Sequence, residues 1–123
     1  MAYTQIPLQT LSNAGDTLVW TDNDLLTEPT PDGMKFQNDG NTYLIAINGN
    51  ESTDTATVTL ISSGTVNGLA LANVAKEIAA GDFYIFGRLP VEAWNVQSGI
   101  DINSVLITVT GDAAADVSFA LIK

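Results

Sequence analysis

Residues 55–60 read Thr-Ala-Thr-Val-Thr-Leu, which sends Ala56, Val58 and Leu60 to one face and the three threonines to the other. Such period-two alternation is the signature of a strand with one buried face. Residues 42–48 break the alternation: Thr-Tyr-Leu-Ile-Ala-Ile-Asn is nearly all apolar, as expected of a strand covered on both faces or lying centrally in a sandwich. Further strands are predicted at 17–20, 34–37, 69–71, 83–87, 104–110 and 115–122, the 83–87 stretch being aromatic. Residues 74–80 would also suit a helix through their alanines and Lys76-Glu77, and are read as a strand. Residues 90–94 fit a single turn or short helix.

The punctuation between these runs is supplied by Gly, Asn, Asp and Pro. Asn13-Ala14-Gly15-Asp16, Val66-Asn67-Gly68, Gly81-Asp82 and Gly111-Asp112 are turns, and residues 49–54 form a loop. Asn38-Asp39-Gly40-Asn41 predicts a tight hairpin between the strands on either side, because Asp-Gly supplies positive φ angles. The longest break is the polar loop 21–33, with Pro29, Pro31 and Asp32-Gly33. Residues 1–13 carry Tyr3, Ile6, Leu8 and Leu11 among small polar residues, with Pro7 interrupting any helix. That segment is extended, either as the first strand of the domain or as an arm reaching a neighbour. About eight short strands joined by such turns predict an all-β fold, an antiparallel β-sandwich with jelly-roll connections, filling residues 14–123 as one domain. Heptads, low-complexity tracts and fixed-length repeats are absent from the sequence.

Composition narrows the function. The chain has 123 residues, 46% of them hydrophobic and 15% charged, so it has enough apolar material for one core and no run approaching a membrane span. The start shows neither the basic nor the apolar region of a secretory signal. Without cysteine the fold has no disulfides, and its stability must come from packing. Fourteen acidic residues against four basic ones give a net charge of −10, which repels a phosphate backbone and an anionic lipid surface. Neither nucleic acid nor membrane is an expected partner.

Histidine is absent as well as cysteine, which removes the commonest proton-transfer group near neutral pH and the thiolate nucleophile. Catalysis is not expected. A glycosidase would need two facing carboxylates, yet almost every acid sits in a Gly/Asn turn, and the exception, Glu92, has no counterpart. Asp22-Asn23-Asp24 resembles the opening of a calcium loop, but its sixth position is Thr27 in place of Gly and its twelfth Gly33 in place of Glu. No metal and no cofactor are expected. Trp20, Tyr43, Tyr84 and Trp94 either pack the core or form a platform for sugar rings, the second reading implying a carbohydrate-binding or adhesion module on a fibre or tail. Trp94, following Pro90-Val91-Glu92-Ala93 in a connection, is the aromatic most open to a partner.

Several phrases carry a resemblance: Gln5-Ile6-Pro7-Leu8-Gln9-Thr10-Leu11, Asn38-Asp39-Gly40-Asn41-Thr42-Tyr43-Leu44, Ala80-Gly81-Asp82 and Phe86-Gly87-Arg88-Leu89-Pro90. Together, over most of the chain, they resemble the small β-sandwich head decoration, or cement, proteins of tailed bacteriophages. The resemblance implies a structural protein made in the host cytoplasm and carried on the outer surface of the virion capsid. It implies the major capsid protein as partner, and assembly as a symmetric homo-oligomer such as a trimer. Its motifs are turn-and-strand phrases, so no catalytic residue is transferred. The residues expected to make partner contacts are Tyr3, Ile6, Leu8 and Leu11 in the N-terminal segment, and Pro90 and Trp94 in the later connection.

Overall fold

The computed structural model describes residues 3–12, 15, 17–23 and 33–123. Two sheets pack face to face as an all-β sandwich. In chain order the strands are β1 (Tyr3–Gln5), β2 (Leu8–Gln9), β3 (Thr21–Asp22), β4 (Gly33–Gln37), β5 (Tyr43–Asn48) and β6 (Ala56–Ile61), then β7 (Thr65–Val66), β8 (Leu69–Ala70), β9 (Val74–Ile78), β10 (Phe83–Gly87), β11 (Ser104–Thr110) and β12 (Val117–Ile122). A one-turn helix α1 (Val91–Trp94) precedes β11. The first sheet runs β1-β4-β11-β6-β9 and the second β10-β5-β12-β2, with β3 also on β12, while β7 and β8 form a separate hairpin.

The expected alternation of β6 is realised: Ala56, Val58 and Leu60 are buried and the threonines between them half-exposed. They meet Leu44 and Ala46 of β5 and Phe119 and Leu121 of β12 in a core that also holds Phe36, Ile107 and Val117. Residues 74–78 are a strand, as read. Of the single-turn alternatives at 90–94, the short helix forms, and Gly64 fixes it in place. The Gly64 N–H donates to the Ala93 carbonyl at 2.9 Å, and a Cβ on Gly64 would lie 1.9 Å from the Glu92 carbonyl oxygen.

Several sequence expectations are corrected. Residues 17–20 form no strand; the pairing falls on the next two residues, Thr21–Asp22. Much of the 21–33 loop, including Asp24, lies outside the described residues. The sheets are mixed, because β1 runs parallel to β4 and β2 parallel to β12, and the described strands outnumber the eight expected because several are two-residue pieces. Asn38 to Asn41 is not a hairpin, since β4 belongs to the first sheet and β5 to the second. Asn38 explains this. Its side-chain oxygen accepts from the Gly40 N–H at 3.0 Å and the Thr42 hydroxyl at 3.2 Å, closing a side-chain turn that steps the chain across the sandwich.

The N-terminal segment makes a similar step. It leaves the first sheet after β1, buries Ile6 completely between the layers, with the Ile6 N–H donating to the Lys35 carbonyl at 2.8 Å, and enters the second sheet as β2. Ile6→Ala should therefore lower the unfolding free energy by about 2–5 kcal/mol in chemical denaturation. A loss below about 0.5 kcal/mol, the size of a surface change, would refute this placement.

Candidate functional site

Because β5 is apolar on both sides, the second sheet has an apolar outer face. Leu44, Ala46 and Asn48 point into the core, so Tyr43, Ile45 and Ile47 point outward. Cross-strand register places Phe83 beside Ile47, Ile85 beside Ile45, and Ala120 and Ile122 on the same outer face. The outer positions of the first sheet are more polar, carrying Thr57, Thr59, Thr108 and Glu77 beside one apolar pair, Ile61 and Leu106.

Residues 17–20 pass over this apolar face. They are held by Gln9, whose side-chain amide donates to the Val19 carbonyl at 2.6 Å and whose side-chain oxygen accepts from the Val19 N–H at 2.8 Å. The amide thus imitates a neighbouring strand, satisfying both backbone groups of one residue. Under this strap Leu18 and Trp20 meet Ile45, Ile47 and Phe83 around a groove of about 260 Å³ lined by apolar surface alone. The cover is partial. Val19 remains 61% exposed, Phe83 58% and Ile85 57%, in a chain of high net charge.

A larger cleft, about 400 Å³, opens at one end of the sandwich between Leu8, Asp39, Thr42 and Val91, floored by Asn38 and Asn95. The floor is occupied with internal bonds. Asn38 donates to the Leu89 carbonyl at 2.9 Å and the Asn95 side-chain oxygen at 2.8 Å, and Asn95 donates to the Asn38 and Asn103 carbonyls at 2.8 and 3.2 Å. Its role is to tie the ends of β4, α1 and β11 together. At the rim Lys123 pairs with Asp39. That hydrogen bond, with a second from the Asn41 N–H, holds the Asp39 carboxyl below its usual pKa. A depressed carboxyl stabilises the fold above its unfolded pKa and loses that contribution as pH falls through the folded value.

The residues expected to bind a partner separate into three groups. Ile6 and Trp94 are corrected to core positions, Trp94 being 7% exposed on the buried side of α1. Tyr3 is half-buried within β1, paired to β4. Leu8, Leu11 and Pro90 are exposed, and Leu8 shares the end cleft with Val91, next to Pro90. The segment 3–9 is woven into both sheets and is not a free arm.

The four aromatics do not gather on one face: Trp94 is buried, Trp20 sits in an all-apolar groove, Tyr43 is on the outer face of β5, and Tyr84 lies on the other side of β10, opposite Ala46. Phe83, Ile85 and Val19 were not singled out in the sequence. Their signal was the absence of alternation in residues 83–86, which matches that of β5 beside it.

Several acidic side chains among the described residues serve turns and pairs. Asp22 accepts from the Ser118 hydroxyl at 2.7 Å, Asp116 from the Asn50 amide at 2.9 Å, and Asp101 pairs with Lys35 at 2.9 Å. No group of three or more acidic residues stands close enough to hold a metal ion among the described residues. Compared with known proteins, the chain matches no family model, no curated protein and no solved structure.

Two variants test these assignments. Gln9→Ala should release the strap, raising acrylamide quenching of Trp20 fluorescence while the buried Trp94 stays protected; unchanged quenching would show that the Gln9 clamp does not hold the groove. Lys123→Met should reduce stability at pH 7, with the difference from the parent shrinking as pH falls through the lowered Asp39 pKa. A difference that persists below that pH would place the effect elsewhere than in the ion pair.

Proposed function

We propose that this chain is a non-enzymatic structural protein of a phage virion, docking on the outer surface of the assembled capsid and stabilising it as a decoration protein. The observation that carries the reading is the half-covered groove of Leu18, Trp20, Ile45, Ile47 and Phe83. An exposed apolar patch on an otherwise strongly charged protein fits a protein surface better than a polar small molecule. The motif resemblance supports the same reading. So do the strand orders β4-β11-β6-β9 and β10-β5-β12-β3, which agree with a jelly-roll connection.

The mechanism needs no chemistry. A protein that binds only the assembled lattice lowers the lattice's free energy relative to its dispersed subunits, in proportion to occupancy. Many weak contacts, repeated over a shell, then oppose rupture together. In this reading the groove and the exposed side chains of Phe83 and Val19 contact the major capsid protein. The remaining acidic surface keeps unbound copies soluble.

The test is co-sedimentation with a panel of purified, expanded tailed-phage heads stripped of their own decoration. The parent chain should pellet with the heads it decorates and raise their resistance to heat. Phe83→Ser, at an exposed position, should keep its melting temperature and bind about tenfold or more weakly, as loss of a central aromatic contact does. Failure of the parent to bind any of the heads would reject the capsid assignment. Equal binding by Phe83→Ser would reject the groove as the contact.

A further inference from the structure

The edges of the two sheets are not equally protected. An open edge presents unpaired N–H and C=O groups, and proteins blunt such edges with short strands or charges that point inward. β1 has three residues, and β2 and β3 two each, so they offer little template. β9 is five residues long, but Lys76 lies opposite Val58 on the inward-facing side and Glu77 follows it. β10 has neither defence. Phe83–Gly87 is uncharged, free of proline and, among the described residues, paired only to β5.

The outward backbone groups can be assigned. The Asp82 carbonyl accepts from the Asn48 N–H at 3.0 Å, and the Arg88 N–H donates to the Thr42 carbonyl at 3.2 Å. In an antiparallel ladder bonded residues alternate, so residues 82, 84, 86 and 88 face β5 and Phe83, Ile85 and Gly87 turn their N–H and C=O groups to the open side.

We propose that β10 is a self-association edge, at which two copies of this chain pair antiparallel about a two-fold axis through Ile85. The occupant is a second copy because the strand is complementary to itself. In this register Phe83 stands opposite Gly87 of the second copy, Tyr84 opposite Phe86, and Ile85 opposite Ile85. The three outward N–H and three outward C=O groups of each strand are all satisfied. Asp82 and Arg88 flank the strand at equal distances from Ile85, so each aspartate comes near the arginine of the other copy, whose Nε donates to the Tyr43 hydroxyl at 3.0 Å and whose remaining N–H groups stay available. Gly87 leaves room where it is needed. The Tyr43 ring already lies 2.6 Å from where a Cβ on Gly87 would be, and the incoming Phe83 packs against that ring.

The net charge of −10 does not forbid this contact. Residues 83–87 carry no charge, Asp82 is matched by Arg88, and charges beyond about 8 Å are screened at physiological salt. A strand pair of this length buries less than the roughly 800 Å² per partner of a stable interface, so the dimer is weak in dilute solution. Pairing about an axis normal to the sheet keeps both outer faces on one side. Two apolar grooves then lie on one continuous surface, which turns a single weak contact into a bivalent one. The pairing stands whether or not that surface meets a capsid.

The natural absence of cysteine supplies a clean test. Ile85→Cys places its two thiols across the axis, where Cα atoms of a bonded pair are about 5.5 Å apart, within disulfide range. Mild oxidation of the purified chain should give covalent dimers. Ala75→Cys, on the guarded edge β9, should give at least about tenfold fewer, the margin set by its inward charge. Without the crosslink, sedimentation equilibrium at concentrations up to roughly 1 mM, the range of the weakest specific complexes, should show a monomer–dimer equilibrium.

Arg88→Asp should weaken that equilibrium by about tenfold through two like-charge pairs, and the double variant Asp82→Arg/Arg88→Asp should recover it. Far-ultraviolet circular dichroism checks that each variant folds, and the cysteine comparison stands without the charge variants. Monomer throughout, a trimer, equal crosslinking at both cysteines, or a folded double variant that fails to recover pairing would each overturn the proposal.

Discussion

A strand that is apolar on both faces cannot be satisfied by one core. β5 sends Leu44 and Ala46 inward and Tyr43, Ile45 and Ile47 outward, so its position demands cover on two sides. The inner cover comes from the opposite sheet, through Phe36, Leu60 and Ile107. The outer cover comes from the strap at 17–20, which leaves Phe83 and Ile85 more than half exposed. Burial of apolar area is the dominant favourable term in folding and association alike, about 25 cal/mol per Å². The same surplus that makes β5 central therefore leaves the second sheet with a face able to adhere. The first sheet, with its outer threonines and the single apolar pair Ile61 and Leu106, has a smaller surplus.

Without disulfides, the ends of the sandwich are closed by buried asparagines. Asn38 and Asn95 interlock at one end, while at the other Asn48 donates to the Asp54 and Ile78 carbonyls at 3.1 and 3.0 Å and accepts from the Asn50 N–H. Asn23 adds a bond to the Ala114 carbonyl at 3.0 Å. An amide can donate and accept at once without carrying charge, so it satisfies loop backbone groups that a sheet ladder cannot reach. Burying a carboxylate at these points would instead require a cation. That division of labour matches the composition: neutral amides hold the interior ends, and acids stay at the surface.

The β-sandwich was legible because alternation and turn chemistry recur, and β6 and β9 are where those signals place them. The errors of strand pairing share one cause. Hairpin logic joins consecutive strands in one sheet, whereas here the step from β4 to β5 crosses between sheets, as do the steps from β5 to β6 and from β9 through β12. Asn38-Asp39-Gly40-Asn41 was correctly seen as a turn, but what it joins is decided by the buried partners of Asn38, contributed by residues more than fifty positions away. Trp94 and Ile6 looked available because a connection and an extended segment usually lie at the surface. Neither the anchoring of α1 by Gly64 nor the burial of Ile6 between layers leaves a local pattern. The exposed face was half legible: the lack of alternation in residues 42–48 predicted a strand covered on both faces or central in a sandwich, and only the structure reveals that the outer cover is incomplete.

The parallel pairings of β1 and β2 have a kinetic consequence. Leu8 finds its place opposite Leu121, and Tyr3–Gln5 beside Gly33–Lys35, so the first residues join sheets whose other members come from later in the chain. Contacts of such sequence separation form late, after loop-closure entropy has been overcome, and folds dominated by them cross their barrier in milliseconds to seconds rather than microseconds. Because Ile6 is buried between the layers, its burial is coupled to the joining of β1 and β2 to both sheets.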